Sequence, residues 1–382
     1  MAGSFAVIVG AVGGALAVLA TVILLLWICM KKHGKFSNKN SETGSSDPSA
    51  VVEMKRGGSS PFSVPSITEI RQFRMEELEQ ATRNFSETNL IGCGTFGLVF
   101  KGLLSDGTVV AIKRRIGEPR QEFVEEVAYL STICHRNLVV LLGYCQERGY
   151  QMLVSEYLPN GSMCSHLYDT GKGSTTKLEF KQRLQVAIGA AKAGLCHLHG
   201  LNPPFVHGNF KTGSVLVDEN FIAKVADAGM SKILEKIEDG ASSGSSSFNA
   251  FKDPEMEHFE VLYETSDVYS FGVFLLELIT GKEATTYKEA YGSNHSLIQL
   301  VEDHLRSNDL VDPRLVGSFT AEGMRDLLWL MLKCMNFPGK DRPRMENLVV
   351  EIDRILETEI ERTIVMGEGT ATVTLGSQLF TS

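Results

Sequence analysis

Residues 92–99 read Gly92-Cys93-Gly94-Thr95-Phe96-Gly97-Leu98-Val99, and fourteen residues after Val99 comes Lys113, at the end of Val110-Ala111-Ile112-Lys113. A G-x-G-x-x-G alone is weak evidence, because dinucleotide-binding folds use the same spacing with a helix directly after it. Here the glycines sit inside NLIGCGTFGLVFKGLL (89–104), whose pattern predicts two strands. A Ser105-Asp106-Gly107 turn and TVVAIKRR (108–115) predict a third. Glu126 then falls on an amphipathic helix predicted near 119–132, Asp227 in VADAGMS, and Asp253-Pro254-Glu255 beyond it. Chance rarely supplies this whole ordered set.

Upstream, FRMEELEQATRNF (73–85) places Met75, Leu78, Ala81, Thr82 and Phe85 at helical spacing. Downstream, LVVLLGYC (138–145) and QMLVSEYL (151–158) complete a β-rich small lobe over about 73–156. Helices dominate after that. Leu184, Ile188, Ala191, Leu195 and Leu198 form one apolar stripe, and DVYSFGVFLLELIT (267–280) is apolar nearly all round. That run is too short to cross a bilayer, so it is predicted to be the central helix of a large lobe over about 157–357. The fold class is therefore α+β, in two lobes spanning 73–357. The tail, 358–382, carries no interpretable motif.

The 382 residues are 43% hydrophobic and 22% charged, with net charge −9, a balance that argues against nucleic-acid binding. The seven cysteines make no C-x-x-C pair or zinc-like spacing and read as reduced thiols. Residues 5–30 carry no charge, and as a helix they would run about 39 Å, enough to span a hydrocarbon core of about 30 Å. Trp27 marks the inner end and Lys31, Lys32, His33 and Lys35 follow, which predicts a single-pass membrane helix with its C-terminal side in the cytoplasm. Ala15-Leu16-Ala17 resembles a signal-peptidase site, but the apolar run is too long and no basic residue precedes it. Residues 1–4 alone would lie outside, leaving no ectodomain. Ala6, Gly10 and Gly14 offer a small-residue face for a homo- or heterodimer, and Cys29 is either a palmitoylation site or a plain boundary cysteine. Residues 31–72, rich in Ser, Gly, Asn and Pro, read as a disordered juxtamembrane linker.

From about Phe73 to Leu356 the chain resembles the plant receptor-like kinase family of the Ser/Thr type. The resemblance rests on ELEQATRNFSETNLIGCGTFGLVFKG, HRNLVVLLGYC, LVSEYLPNGSM, TSDVYSFGVFLLELITGK and DRPRM. It implies a protein-kinase fold that takes ATP and Mg2+, sits at the plasma membrane and has other membrane receptor kinases as partners. It assigns Ile91, Gly92, Gly94 and Gly97 to the phosphate-covering loop. Val99 and Ala111 would roof the adenine, with Leu216 beneath it. Lys113 would hold the α/β-phosphates, Glu126 would orient Lys113, and Asp227 would bind magnesium. Glu255 and Arg342 would form a structural ion pair, and Asp267 would brace the catalytic loop.

That loop departs from the family's H-R-D-L-K-x-x-N. It reads His207-Gly208-Asn209-Phe210-Lys211-Thr212-Gly213-Ser214. Asn209 holds the place of the catalytic base, and its amide cannot take a hydroxyl proton. Ser214 replaces a metal-binding Asn, Ala228 replaces the Phe of D-F-G, and Lys211 is kept. The gatekeeper position is Ser155, which predicts an adenine pocket open at the back. The expected function is a membrane-anchored, ATP-binding pseudokinase. A weak Ser/Thr kinase and a scaffold that binds no nucleotide are the alternatives.

Overall fold

The computed structural model describes residues 70–168, 178–237, 249–256, 263–286, 297–299, 301 and 310–366. The predicted membrane helix, with Ala6, Gly10, Gly14 and Cys29, and the linker up to residue 69 lie outside these. Among the described residues no helix is long and apolar enough to cross a membrane.

The small lobe is built on strands β1 (Arg71–Gln72), β2 (Leu90–Cys93), β3 (Leu98–Leu103), β4 (Val109–Ile116), β5 (Leu141–Glu147) and β6 (Tyr150–Glu156). They form one sheet in the order β1-β5-β6-β4-β3-β2. Alternation along β4 sorts its side chains: Val110 and Ile112 are buried, while Ala111 and Lys113 point into the cleft. Helix α1 (Met75–Thr82) buries Met75 and Leu78 in the same apolar cluster as Val110 and Ile112. It stops before the predicted Phe85, because Arg83, Asn84 and Phe85 all take positive φ. Phe85 packs edge-on against Phe100 instead, with centroids 5.3 Å apart.

The linker boundary expected at Phe73 moves upstream. Arg71 and Gln72 pair in parallel with Gly143 and Tyr144 of β5. A Cβ at Gly143 would lie 2.2 Å from the Arg71 carbonyl oxygen, so only glycine admits this approach. Helix α2 (Gln121–Ser131) then packs on the sheet beside β5.

The large lobe surrounds α7 (Glu264–Thr280), which is buried continuously from Ser266 to Thr280. The predicted stripe over 178–199 is there but interrupted: α4 (Phe180–Gly189) passes through a π-helical segment (Ala190–Leu195) into α5 (Cys196–His199). The close contact of Gly189 with Ala223 marks where this helix meets strand β8 (Ala223–Val225), which pairs with β7 (Val215–Val217). Helix α3 (Met163–Leu167) precedes α4, and α6 (Met230–Ile237) follows β8. Helices α8 (Ala321–Cys334) and α9 (Met345–Met366) complete the lobe. Helix α9 runs past the predicted domain end at residue 357, and its buried Glu359 accepts the backbone N–H of Thr320, the residue whose hydroxyl caps α8, at 3.1–3.2 Å.

One predicted ion pair is corrected. Arg342 pairs with Asp253, through Nη1 to Oδ2 at 2.5 Å and Nη2 to Oδ1 at 3.0 Å. Glu255 instead accepts the Gly339 backbone N–H at 2.7 Å. The turn brings the Asp253 carboxylate into line with the planar guanidinium, which takes both of its oxygens.

Candidate functional site

A cavity of about 500 Å3 lies between the lobes. Ile91, Gly92, Gly94, Val99, Ala111 and Lys113 line it from the small lobe, and Lys211, Leu216 and Asp227 from the large one. These residues, distant in sequence, meet around one cavity. A Cβ at Gly92 or Gly94 would meet nothing within 4 Å, so these two are free of side chains over an open space. Gly97 has a different reason to be glycine. Its φ is +144° and a Cβ there would lie 2.2 Å from the Arg114 carbonyl oxygen, so it seats the β2–β3 turn on β4. The Gly94 and Gly97 N–H groups donate to each other's carbonyls at 2.9 and 3.2 Å, and are thus engaged within the turn.

Lys113 and Glu126 do not meet. Lys113 donates to Asp227 Oδ1, and Glu126 Oε2 accepts from Lys236 Nζ at 2.9 Å. The cause is α6, which follows Asp227 and packs against α2. Met230, Ile233 and Ile237 join Phe96, Phe123, Val127, Tyr144 and Leu153 in one apolar cluster. Burial, and secondarily the charge on Lys211, push Lys113 down to about 8.

Asp267 sits beneath the loop 207–214. Asp267 accepts the His207 and Gly208 backbone N–H groups at 2.7 and 2.9 Å and meets His199 Nε2 at 2.9 Å. Burial lowers the pKa of His207, keeping the ring neutral. Its Nε2 then donates to the Ala226 carbonyl at 2.9 Å, while Nδ1 accepts from the Asn209 N–H at 3.3 Å. Phe210 anchors the loop against Phe271 and Phe274 of α7, at centroid distances of 6.1 and 5.6 Å. Asn209 Nδ2 donates to Thr95 Oγ1 of the glycine loop at 3.2 Å. Ser214 is fully buried and its hydroxyl turns back to the Asn209 carbonyl at 3.3 Å, away from the cavity.

The arrangement fits a nucleotide better than a pair of metal ions. The cavity suits an adenine, and Asp227 is an available carboxylate once Lys113 lets go of it. Ser214 adds no second ligand, so the donor set suits one magnesium ion.

The family model for protein tyrosine and serine/threonine kinases matches residues 85–352. The chain belongs to the protein kinase family. Its kinase domain stands with the plant receptor-like kinases. Receptor-like protein kinase ANXUR1 of Arabidopsis thaliana is 34% identical over 373 residues, covering 93% of this chain and 43% of that protein. Proline-rich receptor-like protein kinase PERK2 of the same plant is 37% identical over 298 residues, covering 75% and 40%. The chain thus spans less than half the length of these relatives. A solved structure, the pseudokinase domain of BIR2, an immune regulator of the RLK/Pelle family, superposes with a TM-score of 0.61 at 28% identity. That match covers 76% of this chain and 89% of the other.

Within the kinase domain, Ser155 sits on β6 opposite Ala111, its Oγ 3.4 Å from the Ala111 carbonyl oxygen. The cavity continues to Leu130, Ile133 and Leu153, so neighbouring side chains do not close the space that an aromatic gatekeeper would fill. A nucleotide-site inhibitor with a bulky aryl group is expected to bind this chain at least about tenfold more tightly than its Ser155→Tyr variant, a difference of about 1.4 kcal/mol. Equal affinities in a competition assay would show that the space is not used.

Two features went unread in the sequence. The spacing of Met230, Ile233 and Ile237 signals an amphipathic helix directly after Asp-Ala-Gly, and it would have exposed α6. The second is Glu277, buried in α7 beneath the catalytic loop. It accepts from Thr212 Oγ1, Tyr168 Oη and, at 2.7 Å, the Ala284 N–H. Burial raises its pKa to about 7. An acid whose folded pKa is raised adds stability that is complete below its unfolded value near 4.3 and is lost as pH rises through 7. Glu277→Gln should therefore flatten the fall in melting temperature between pH 5 and pH 8. A parallel pair of curves would show that Glu277 does not titrate there.

Proposed function

We propose that this protein is a membrane-anchored receptor-like pseudokinase that binds ATP and signals by associating with active receptor kinases. Asn209 carries the reading. It stands in the catalytic loop where a carboxylate would serve as base, and its side chain is an amide held by Thr95. Buried Ser214, aimed away from the cavity, adds to it. The likeness to the BIR2 pseudokinase domain supports the same view. Residues 5–30 would be the membrane helix, with the kinase domain cytoplasmic. Residues 31–69 would be the linker, and Ala6, Gly10 and Gly14 a helix-dimer face. Val99, Ala111 and Leu216 would enclose the adenine, Lys113 would hold phosphate oxygens, and Asp227 would hold a single magnesium ion.

The test is thermal unfolding of the full chain in detergent with magnesium-ATP. Ligand at 100 times its Kd stabilises the fold by about 2.7 kcal/mol. The absence of any shift would favour the scaffold that binds no nucleotide. One observation speaks for that second reading: Lys113 and Asp227, the groups a magnesium-nucleotide needs, are engaged with each other.

A further inference from the structure

We propose that the groove between α8 and the start of α9 is a docking site for this chain's own tail, with Leu379 and Phe380 seated against Trp329. The inference is independent of the nucleotide-binding reading above.

The groove encloses about 390 Å3. Leu330 of α8 and Leu348 of α9, both buried, form its floor. Trp329 and Val350 form its walls and stay 57% and 65% exposed. A single exposed apolar side chain is ordinary on any protein surface. Here two large ones, one from each helix, stand over a continuous apolar floor, which is the form of an interaction site.

The rim favours an uncharged occupant. Lys333 Nζ lies 3.3 Å from the centre of the Trp329 ring, so its charge already faces the π-cloud. Glu351 accepts from Arg354 Nε at 3.1 Å, and the same guanidinium reaches Asp326 at 2.9 Å. Nothing at the rim therefore calls for a charged ligand.

The chain carries a segment of matching chemistry. Residues 367–382 follow α9 and lie outside the described residues. After Glu368 they read GTATVTLGSQLFTS, without a charge, and Val373, Leu375, Leu379 and Phe380 are the large apolar side chains. Reach decides which of these arrives. From Val350 to Met366 helix α9 runs about 24 Å, and the tail must double back over that length. Gly367 and Gly369 permit the reversal. An extended chain from Met366 covers about 23 Å by Val373, which falls short, and about 43 Å by Leu379, which reaches with slack. The alternation Thr372-Val373-Thr374-Leu375 suits the extended stretch between. Because the segment is tethered, its effective concentration at the groove is about millimolar, so two apolar anchors are enough to hold it.

The two tryptophans of the chain are Trp27 and Trp329, and Trp27→Phe leaves Trp329 as the reporter. The full chain with that change is placed in detergent micelles, and its emission is quenched with acrylamide. Beside it stands the same chain carrying Leu379→Asp and Phe380→Asp, neither of which belongs to the large-lobe core. The expected result is a quenching constant at least about twofold higher in the Asp variant, with emission shifted to the red, since the indole loses its cover. A peptide of residues 369–382 added to that variant should restore the protection. Protection in the parent that vanishes on dilution would mean that a second copy covers the groove, and would overturn the tail as its occupant. Equal quenching in parent and variant at every protein concentration would overturn the docking outright.

Discussion

Asn209→Asp combined with Ser214→Asn should raise phosphate transfer from γ-labelled ATP by about 10²-fold or more over the parent chain, which should stay at background. A positioned acid–base group is worth about 10²–10⁴ in rate, and active kinases turn over at about 1–100 s⁻¹. On the reading proposed above the parent lacks both the base and the second metal ligand, and their effects need not add. The rest of the loop is in order: Asp267 braces it, Phe210 anchors it, and Lys211 faces the cavity. Asp at 209 would also give up the amide donor that now holds Thr95, loosening the glycine loop. Adding Lys113→Met should abolish the restored activity. Parent turnover near 1 s⁻¹ that is lost with Lys113→Met would overturn the pseudokinase reading. A silent double variant would move the defect to Ala228 or to α6.

Arg342→Leu should destabilise the large lobe by about 3–5 kcal/mol, because it strands a charge. The side chains of Asp253 and Arg342 are each about 1% exposed, and the guanidinium takes both carboxylate oxygens while donating to the Thr265 and Asn336 carbonyls. Removing it leaves a buried carboxylate and two half-buried carbonyls without their donor. Against a total of about 5–15 kcal/mol for a typical domain, that loss would be plain in a denaturant titration. Glu255→Ala is the informative companion. It removes one acceptor for the Gly339 N–H and should cost about 1 kcal/mol. If the two substitutions cost the same, Glu255 shares the ion pair after all.

What could be read from the sequence follows a physical line. Strand alternation around Gly92 and Lys113 is local, and so is the unbroken apolarity of 267–280, so both lobes and the cavity wall were legible. Partner choice was not. The string that carries Glu126 is the same whether its carboxylate meets Lys113 or Lys236, since the outcome depends on where α6 docks. Asp253 and Glu255 lie two residues apart in one turn, and only the fold says which faces Arg342. The end of α9 lay further on than expected because Glu359, polar and near the tail, is buried against Thr320, the cap of α8. Gly97 was grouped with Gly92 and Gly94 by motif, although its glycine answers to Arg114 on the neighbouring strand.

The short strand β1 has a mechanical meaning. It is stitched to β5 in parallel, with the Phe73 N–H adding a bond to the Tyr144 carbonyl at 2.7 Å. Ile70, one residue before it, packs against the cluster that holds Phe123, Phe96 and α6. If residues 31–69 are the linker proposed above, a load drawn through them would reach Ile70 and Tyr144 before α1, and through that cluster it would bear on α2 and the cleft.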